Sequence, residues 1–598
     1  MNYQHWGKHL RQRFEKFGDK VAMCYKNETN GDWIDISWCE FGIQTRQVSK
    51  ALLKLGIGIQ ESVAIFSQNM PEWIVADLAI MSVRGVTVPI YATNSTTEAK
   101  YIIKDAAVQA IFVGEQEQYD RTMELMGECS TIKMVIVFDK AVKISDHQHS
   151  MYWDEFIEMG KASRLGKEFD ARFETADIDD LATLIYTSGT TGEPKGVMID
   201  HNNITAVLRS HDKELDITDD EVSLSFLPLS HVYERGWTFF CLHRGFKIYF
   251  NRDPKKIGCT MKETKPTLMC TVPRIYEKIY SAIQDKSKDA SGIKKKLINW
   301  SLKIGEIRNN QYCLFEKKVP FGLKMKFKIA DKLVLSKFRD IFGGRIKFTP
   351  CGGAPLSSEI ITFFHSVGMN IKMGYGLTET MATVCLYGDK YIDFNTTGKT
   401  LNGVEIKIGE NNEILVKGPG VMRGYYKKPE ETAKVMKDGW FCTGDAGRID
   451  ENGNLTVTDR IKDLMKTSGG KYIAPQKLET TLINDQFIEQ VAVIGDCQKY
   501  VTALAVPAIE PLCKYAKKHN ISFDSFEDLI KDSQIIEFFE KRFVNLQKEF
   551  SRFEKIQKFT LLPKEFTIKS GEMTSTLKLK RKVIQEKYKH LIEKMYKD

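Results

Sequence analysis

The sequence predicts an α/β protein, with a large N-terminal domain of mixed and parallel sheets and helices and a smaller α/β C-terminal domain. Three observations carry this. Helical patterns alternate with short β-rich runs, VAIFS at Val63, AIFVG at Ala110 and MVIVF at Met134, and such alternation builds parallel sheets covered by helices. After about Gly398 the texture changes to short strands, VEIKI, EILVKG and NLTVTD, split by turn pairs such as Asn411-Asn412 and Asn452-Gly453. Beyond Asp459-Arg460 a strand-like run, QVAVIGDC, precedes a stretch with helical apolar spacing, SFEDLIKDSQIIEFFEKRFVNLQKEF. The domains are accordingly drawn at 1–460 and 461–598.

Composition narrows the class. At 598 residues the chain is about four times the ~150 residues usual for one domain, which excludes a single small module. Hydrophobic residues at 42% and charged residues at 28% exclude wholesale disorder. No run reaches the ~18 apolar residues of a membrane-spanning helix, and MNYQHWGKHLRQRF has no apolar core of a secretion signal. A cytoplasmic protein is expected. The twelve cysteines contain no CxxC or CxxH pair, so reduced thiols are expected rather than zinc or a redox dithiol. His147 and His149 read as part of a solvated loop.

The net charge of +9 is unevenly spread. From Asp285 to Lys347 there are 17 Lys and Arg against 6 Asp and Glu, and from Lys578 to Asp598 there are 8 against 3. The rest is mildly acidic. Two basic segments on an acidic body point to a local anionic partner, not to nucleic acid. The first segment, 285–347, also carries Trp300, Tyr312, Phe315, Phe321, Phe327 and Phe338. It is either a peripheral contact with anionic membrane or an ordinary helical surface whose aromatics pack inward.

The most informative stretch is LATLIYTSGTTGEPKGVMIDH, from Leu181 to His201. An apolar run breaks into a loop rich in glycine and hydroxyls, with one lysine. Such a loop offers unobstructed backbone N–H groups to a polyphosphate. It is no Walker A loop, because Glu193-Pro194 intervene before Lys195 and Gly196 follows it. Nor is Gly374-Tyr375-Gly376 a dinucleotide fingerprint, since Glu379 stands where the third glycine belongs.

This loop resembles the YTSGTTGxPKG signature of the AMP-forming acyl-CoA synthetases of the adenylate-forming superfamily. Six further motifs continue the resemblance in the family's order: FLPLSHVYERG at Phe226, TPCGGAPL at Thr349, MGYGLTET at Met373, DGWFCTGDAGRID at Asp438, DRIKDLMKTSGGKYIAP at Asp459 and GEMTSTLKLKRK at Gly571. VPRIYEKIYSAI at Val272 and the basic insertion after it resemble the long-chain fatty-acid branch. The resemblance implies a large adenylate-forming domain and a small mobile one. It implies ATP and Mg²⁺ as cofactors, with a long-chain fatty acid and CoA as co-substrates. A carboxylate would attack the α-phosphorus of ATP, and a thiol would then displace AMP from the acyl-adenylate.

The resemblance also implies roles. Thr187, Ser188, Gly189, Thr190, Thr191 and Lys195 would hold the β- and γ-phosphates. Gly352, Gly353, Ala354 and Pro355 would border the adenine, with Tyr375 stacking on it beside Gly376. Thr378 would bond the α-phosphate and Glu379 would hold Mg²⁺, a hard cation that needs few protein carboxylates. Asp445 would accept the ribose hydroxyls with Arg460 nearby. Lys578 would be the catalytic lysine, although Ser575 stands where the family usually has proline. Lys462 would be the hinge, and Ser468, Gly469, Gly470 and Lys471 would line the CoA channel. His231 would lie beside the acyl pocket, and either Tyr233 or Trp237 would gate it. An acyl-AMP ligase loading an acyl-carrier protein, a non-catalytic lipid-binding relative and a luciferase-like oxidase are the alternatives.

Overall fold

The computed structural model describes residues 4–187, 193–215, 217–289, 291–389, 391–461, 464–468, 471–574 and 578–597, without the side chains of 285, 286, 288, 289 and 472. Ser188, Gly189, Thr190, Thr191, Lys462, Gly469 and Gly470 therefore lie outside the described residues.

The apolar runs form the centre of an eight-stranded sheet. Ser62–Ser67 pairs in parallel with Val86–Tyr91 on one side and Ala110–Val113 on the other, and Met134–Val137 extends the parallel order. These strands are buried along their whole length or nearly so, as expected of a sheet covered on both faces. Leu181–Thr187 joins beside Val86–Tyr91, and Lys195–Asp200 returns antiparallel to it. The short strand Gly424–Tyr425 then closes that edge against Lys195–Asp200.

A second sheet places Thr349–Cys351 parallel to Ile371–Tyr375. A third is antiparallel and contains Glu405–Ile408, Glu413–Lys417, Trp440–Ile449 and Leu455–Arg460, matching the change of texture after Gly398. Asn411 and Asn412 both adopt left-handed backbone in the Glu405–Lys417 hairpin, which their side chains tolerate.

From Met465 onward the chain builds its own apolar clusters, around Val493, Ala503 and Phe539 and around Leu504 and Ile584. Its sheet orders Ile488–Ile494, Val501–Pro507 and Ile556–Leu561. The stretch at SFEDL is two helices, Phe526–Leu529 and Ser533–Leu546. Asp532 starts the second by accepting from the amides of Gln534 and Ile535, a strong local N-terminus inside one apolar period. The chain is thus an α/β protein with a large N-terminal body and a small C-terminal one that has its own core.

In the basic insertion the helices Gly292–Gln311 and Phe321–Ala330 pack on a core that includes Phe226, Cys351, Leu356 and Met373. Trp300, Phe327 and Phe338 pack against it, whereas Phe315 and Phe321 are exposed. No described helix is long and apolar enough to cross a membrane.

Candidate active site

The loop after Leu181–Thr187 is a hairpin connection. Thr187 pairs with Lys195 and Tyr186 with Gly196, so both ends of the loop are fixed by the sheet. A Cβ at Gly196 would sit 3.0 Å from the Tyr186 ring. The Lys195 ammonium pairs with Glu431 and lies 5.0 Å from the centre of the Tyr425 ring. Hydrogen bonds from Lys195 and Lys434 hold the Glu431 carboxyl down to about 2. Tyr425 in turn donates its hydroxyl to Glu379 Oε1 at 2.9 Å.

Glu379 and Thr378 belong to a tight turn after Ile371–Tyr375. Met381 and Ala382 are both left-handed there, a strain typical of a loop shaped for ligands. At Gly376 a Cβ would fall 1.3 Å from the Ala382 carbonyl oxygen, so this position admits only glycine. The Met422 amide donates to the Glu379 carbonyl at 2.8 Å, tying the turn to the edge of the eight-stranded sheet.

Tyr375, at the end of its strand, donates its hydroxyl to Asp445 Oδ2 at 2.7 Å. Arg460 Nε reaches Asp445 Oδ1 at 3.2 Å, from directly across the ladder. Burial, reinforced by the Asp445 charge, raises the Tyr375 phenol well above its ordinary value, so it stays a donor. Gly352 to Pro355 follow Thr349–Cys351 on the neighbouring strand. Gly353 is left-handed and exposed, and a Cβ at Gly352 would sit 3.6 Å from both the Tyr233 ring and the Gly374 carbonyl oxygen. The loop after Thr349–Cys351 and the turn after Ile371–Tyr375 thus leave the same ends of two paired parallel strands, and the Glu379 turn meets the edge strand Gly424–Tyr425.

His231 caps the Val232–Arg244 helix, its Nδ1 accepting from the Tyr233 amide at 3.1 Å. Its ring stands edge-on to Tyr91 at 6.4 Å. Burial, with the Lys578 charge acting in the same direction, lowers the imidazole to about 4. The Lys578 side chain therefore lies within electrostatic reach of His231, across more than 300 residues of sequence. Its backbone is clamped: the Lys578 amide donates to Thr574 Oγ1 at 3.0 Å, and its carbonyl accepts from the Thr574 amide at 2.8 Å. Nearby, Lys580 meets Glu98 of the large body at 3.4 Å, and Arg581 pairs twice with Glu479, each at 2.6 Å. Arg274 and Glu489 form a second charged contact between the bodies.

Ser468 and Lys471 stand apart from this cluster. The Ser468 amide donates to Gln498, and the Lys471 ammonium sits 5.9 Å from the Phe553 ring, both within the small body. Trp237 is a buried core side chain whose Nε1 donates to Ser223 at 3.0 Å, while Tyr233 borders Gly352. His149 pairs with Asp146 in an exposed loop. Among the described residues no group of His, Cys, Asp and Glu could hold a metal by itself. Sequence reasoning missed Tyr425 and Glu431. They lie 46 and 236 residues from their partners Glu379 and Lys195, and only the pairing of Gly424–Tyr425 with Lys195–Asp200 brings them in.

Residues 10–426 match the family described as AMP-binding enzyme, and residues 462–598 match the AMP-binding enzyme C-terminal domain. The chain is 32% identical to a long-chain-fatty-acid–CoA ligase of Mycobacterium bovis, over 97% of this chain and 95% of that one. It is 29% identical to a human long-chain-fatty-acid–CoA ligase, over 98% and 84% respectively. Among solved structures, the adenylation domain of a carboxylate reductase from Mycobacterium chelonae superposes with a TM-score of 0.79 at 20% identity, covering 100% of this chain and 92% of that one. On the match over residues 10–426 and the 32% identity across nearly the whole of both chains, the chain belongs to the AMP-binding enzyme family.

Proposed function

We propose that this chain is an AMP-forming long-chain-fatty-acid–CoA ligase, converting ATP, a long-chain fatty acid and CoA into AMP, pyrophosphate and acyl-CoA through an acyl-adenylate. The reading rests above all on the cluster in which Tyr375 and Arg460 both engage Asp445, beside the Glu379 turn held by Tyr425. The names of the relatives supply the substrate class.

In this reading Thr187 and Lys195, with Ser188 to Thr191, hold the β- and γ-phosphates, and Lys195 exchanges Glu431 for phosphate. Gly352 to Pro355 and Tyr375 with Gly376 receive the base, Asp445 takes the ribose hydroxyls, and Arg460 steadies that carboxylate. Thr378 bonds the α-phosphate. Glu379, with one oxygen engaged by Tyr425, suits a cation that draws most of its ligands from phosphate and water. Mg²⁺ there would neutralise charge on the polyphosphate. Lys578 meets the negative charge that grows as the fatty-acid carboxylate attacks the α-phosphorus and pyrophosphate leaves. Phosphoryl-type transfer needs such positioning and charge more than covalent help. His231, neutral because it is buried, borders the acid without competing for its charge. The boundary at 460/461 and the hinge at Lys462 let the small domain turn, so that Ser468 to Lys471 line the path of the CoA thiol. That thiol attacks the acyl carbonyl, and AMP departs.

The finer parts of the reading are a cytoplasmic location, supported by cysteines that are all free thiols among the described residues, and peripheral contact with anionic membrane through 285–347. AMP release across acids from acetate to long-chain species, with CoA or an acyl-carrier protein as acceptor, tests the ligase reading. It predicts turnover with long-chain acids and CoA. Turnover with the carrier protein alone, or none with any acid, overturns it.

A further inference from the structure

The Phe321–Ala330 helix has two apolar faces. Leu323 and Phe327 pack inward onto the insertion core together with buried Ala330, Val334 and Leu335. Arg308 covers the Phe327 ring at 4.2 Å. Phe321, Met325, Ile329 and Leu333 follow at intervals of four and point the other way, exposed by 79%, 43%, 51% and 43%. A helix that hides one apolar stripe normally turns polar residues to water, and a single exposed side chain would be unremarkable. Three on the α-helix, with Leu333 following on the π-helical turn Asp331–Leu335 that continues it, are not.

The charges beside the stripe identify what covers it. Residues 317 to 330 contain five lysines and no acid. By helical position Lys324 and Lys328 flank the stripe on one side and Lys326 on the other, and all three are exposed. Asp331, the nearest acid after them, is engaged with Arg339 at 2.6 Å. A second copy of this chain docking through the same patch would set these lysines against themselves. A convex row of apolar side chains framed by lysines instead matches the boundary of an anionic bilayer, where the apolar groups enter and the ammoniums meet phosphate.

We propose that this outer face of the Phe321–Ala330 helix, continued to Leu333, is the surface by which the protein seats on anionic lipid. The inference rests on the long-chain reading above and sharpens its membrane clause. It places the anchor on this face and not on Lys294, Lys295 and Lys296, which sit at the start of the Gly292–Gln311 helix. The inner face of the same insertion shares its core with Cys351, Leu356 and Met373, which flank the adenine loop and the Glu379 turn. Seating on lipid would bring the cleft to the store of its water-insoluble substrate.

The test is flotation of the full chain with vesicles of phosphatidylcholine alone or mixed with phosphatidylserine, at low and high salt. Wild type should bind the mixed vesicles, weakly bind the neutral ones, and lose binding as salt screens the surface. Replacing Lys324, Lys326 and Lys328 together by Gln should weaken binding on the order of 100-fold. The triple change Phe321→Ser, Met325→Ser, Ile329→Ser should weaken it even at low salt, and Lys294→Gln with Lys295→Gln and Lys296→Gln should weaken it less than either. Equal flotation of all variants overturns the proposal. So does a wild type that ignores both vesicles and binds polyglutamate, which would make the patch a protein-docking surface. Turnover of a water-soluble medium-chain acid with CoA, measured without lipid, should be the same in every variant. Absence of CoA-dependent turnover in wild type with every acid, long-chain ones included, would sink the ligase reading while leaving the flotation result standing.

Discussion

Lys578 owes its position to its own backbone, through two hydrogen bonds to Thr574. Lys578→Ala keeps that hairpin and deletes one cation. ATP–pyrophosphate exchange should fall by roughly 10²–10³, the usual loss for one transition-state donor, while thioester formation from supplied acyl-AMP persists. Equal loss in both half-reactions would assign the lysine another task. The motif residues were legible because each sits in a short run whose composition is unusual. Tyr425 and Glu431 were not, because nothing local marks GYYKKPEET as the partner of a turn at Glu379 or a strand at Lys195. Their role comes from a strand pairing made across more than 200 residues.

At the scale of elements, the Gly376 turn is the most demanding. A methyl group there meets the Ala382 carbonyl oxygen at 1.3 Å, so the Thr378-Glu379 turn must move if Gly376→Ala is to fold. Shifts of about 1 Å in positioning groups cost on the order of 10²-fold in rate. Exchange activity should drop by about that much, with a far smaller change in thermal midpoint. Unchanged exchange would show that the turn is not part of the nucleotide site. The insertion shows where element-level reading stops. Leu323 and Phe327, and Phe321, Met325 and Ile329, have the same four-residue spacing within one lysine-rich run. Periodicity finds both stripes, but only the packing of neighbouring helices decides which one is buried. The α/β order, the antiparallel texture after Gly398 and the separate core beyond Met465 needed no such arbitration, because each is written in local apolar pattern.

For the whole molecule, pH acts through carboxyls that folding buries. Glu234, fully buried on the Val232–Arg244 helix with neither carboxyl oxygen hydrogen-bonded, is pushed up from 4.5 to about 8 by burial. Between those values the unfolded chain releases its proton and the folded protein keeps it, so stability falls as pH rises from about 4.5 to about 8. Each unit is worth on the order of 1 kcal/mol. Glu234→Gln keeps the shape and removes the titration. Urea midpoints for variant and wild type should therefore diverge from about pH 5 to about pH 9, the variant gaining. Parallel curves would mean that Glu234 is ionised in the fold.

The contacts Lys580–Glu98 and Arg274–Glu489 that join the two bodies are charged, and the first is part-exposed on both sides. Such a seam grips only as hard as the surrounding electrolyte allows. For the domain rotation proposed above, it would work as a detent, firm enough to define a stop and weak enough to be overrun. Raising ionic strength should slow the first chemical burst, pyrophosphate release, by loosening the stop that presents Lys578. Capture of preformed acyl-AMP by CoA, which needs the other pose, should be spared or quickened. Rapid-quench measurement of both phases across a salt series would read the stiffness of that stop directly.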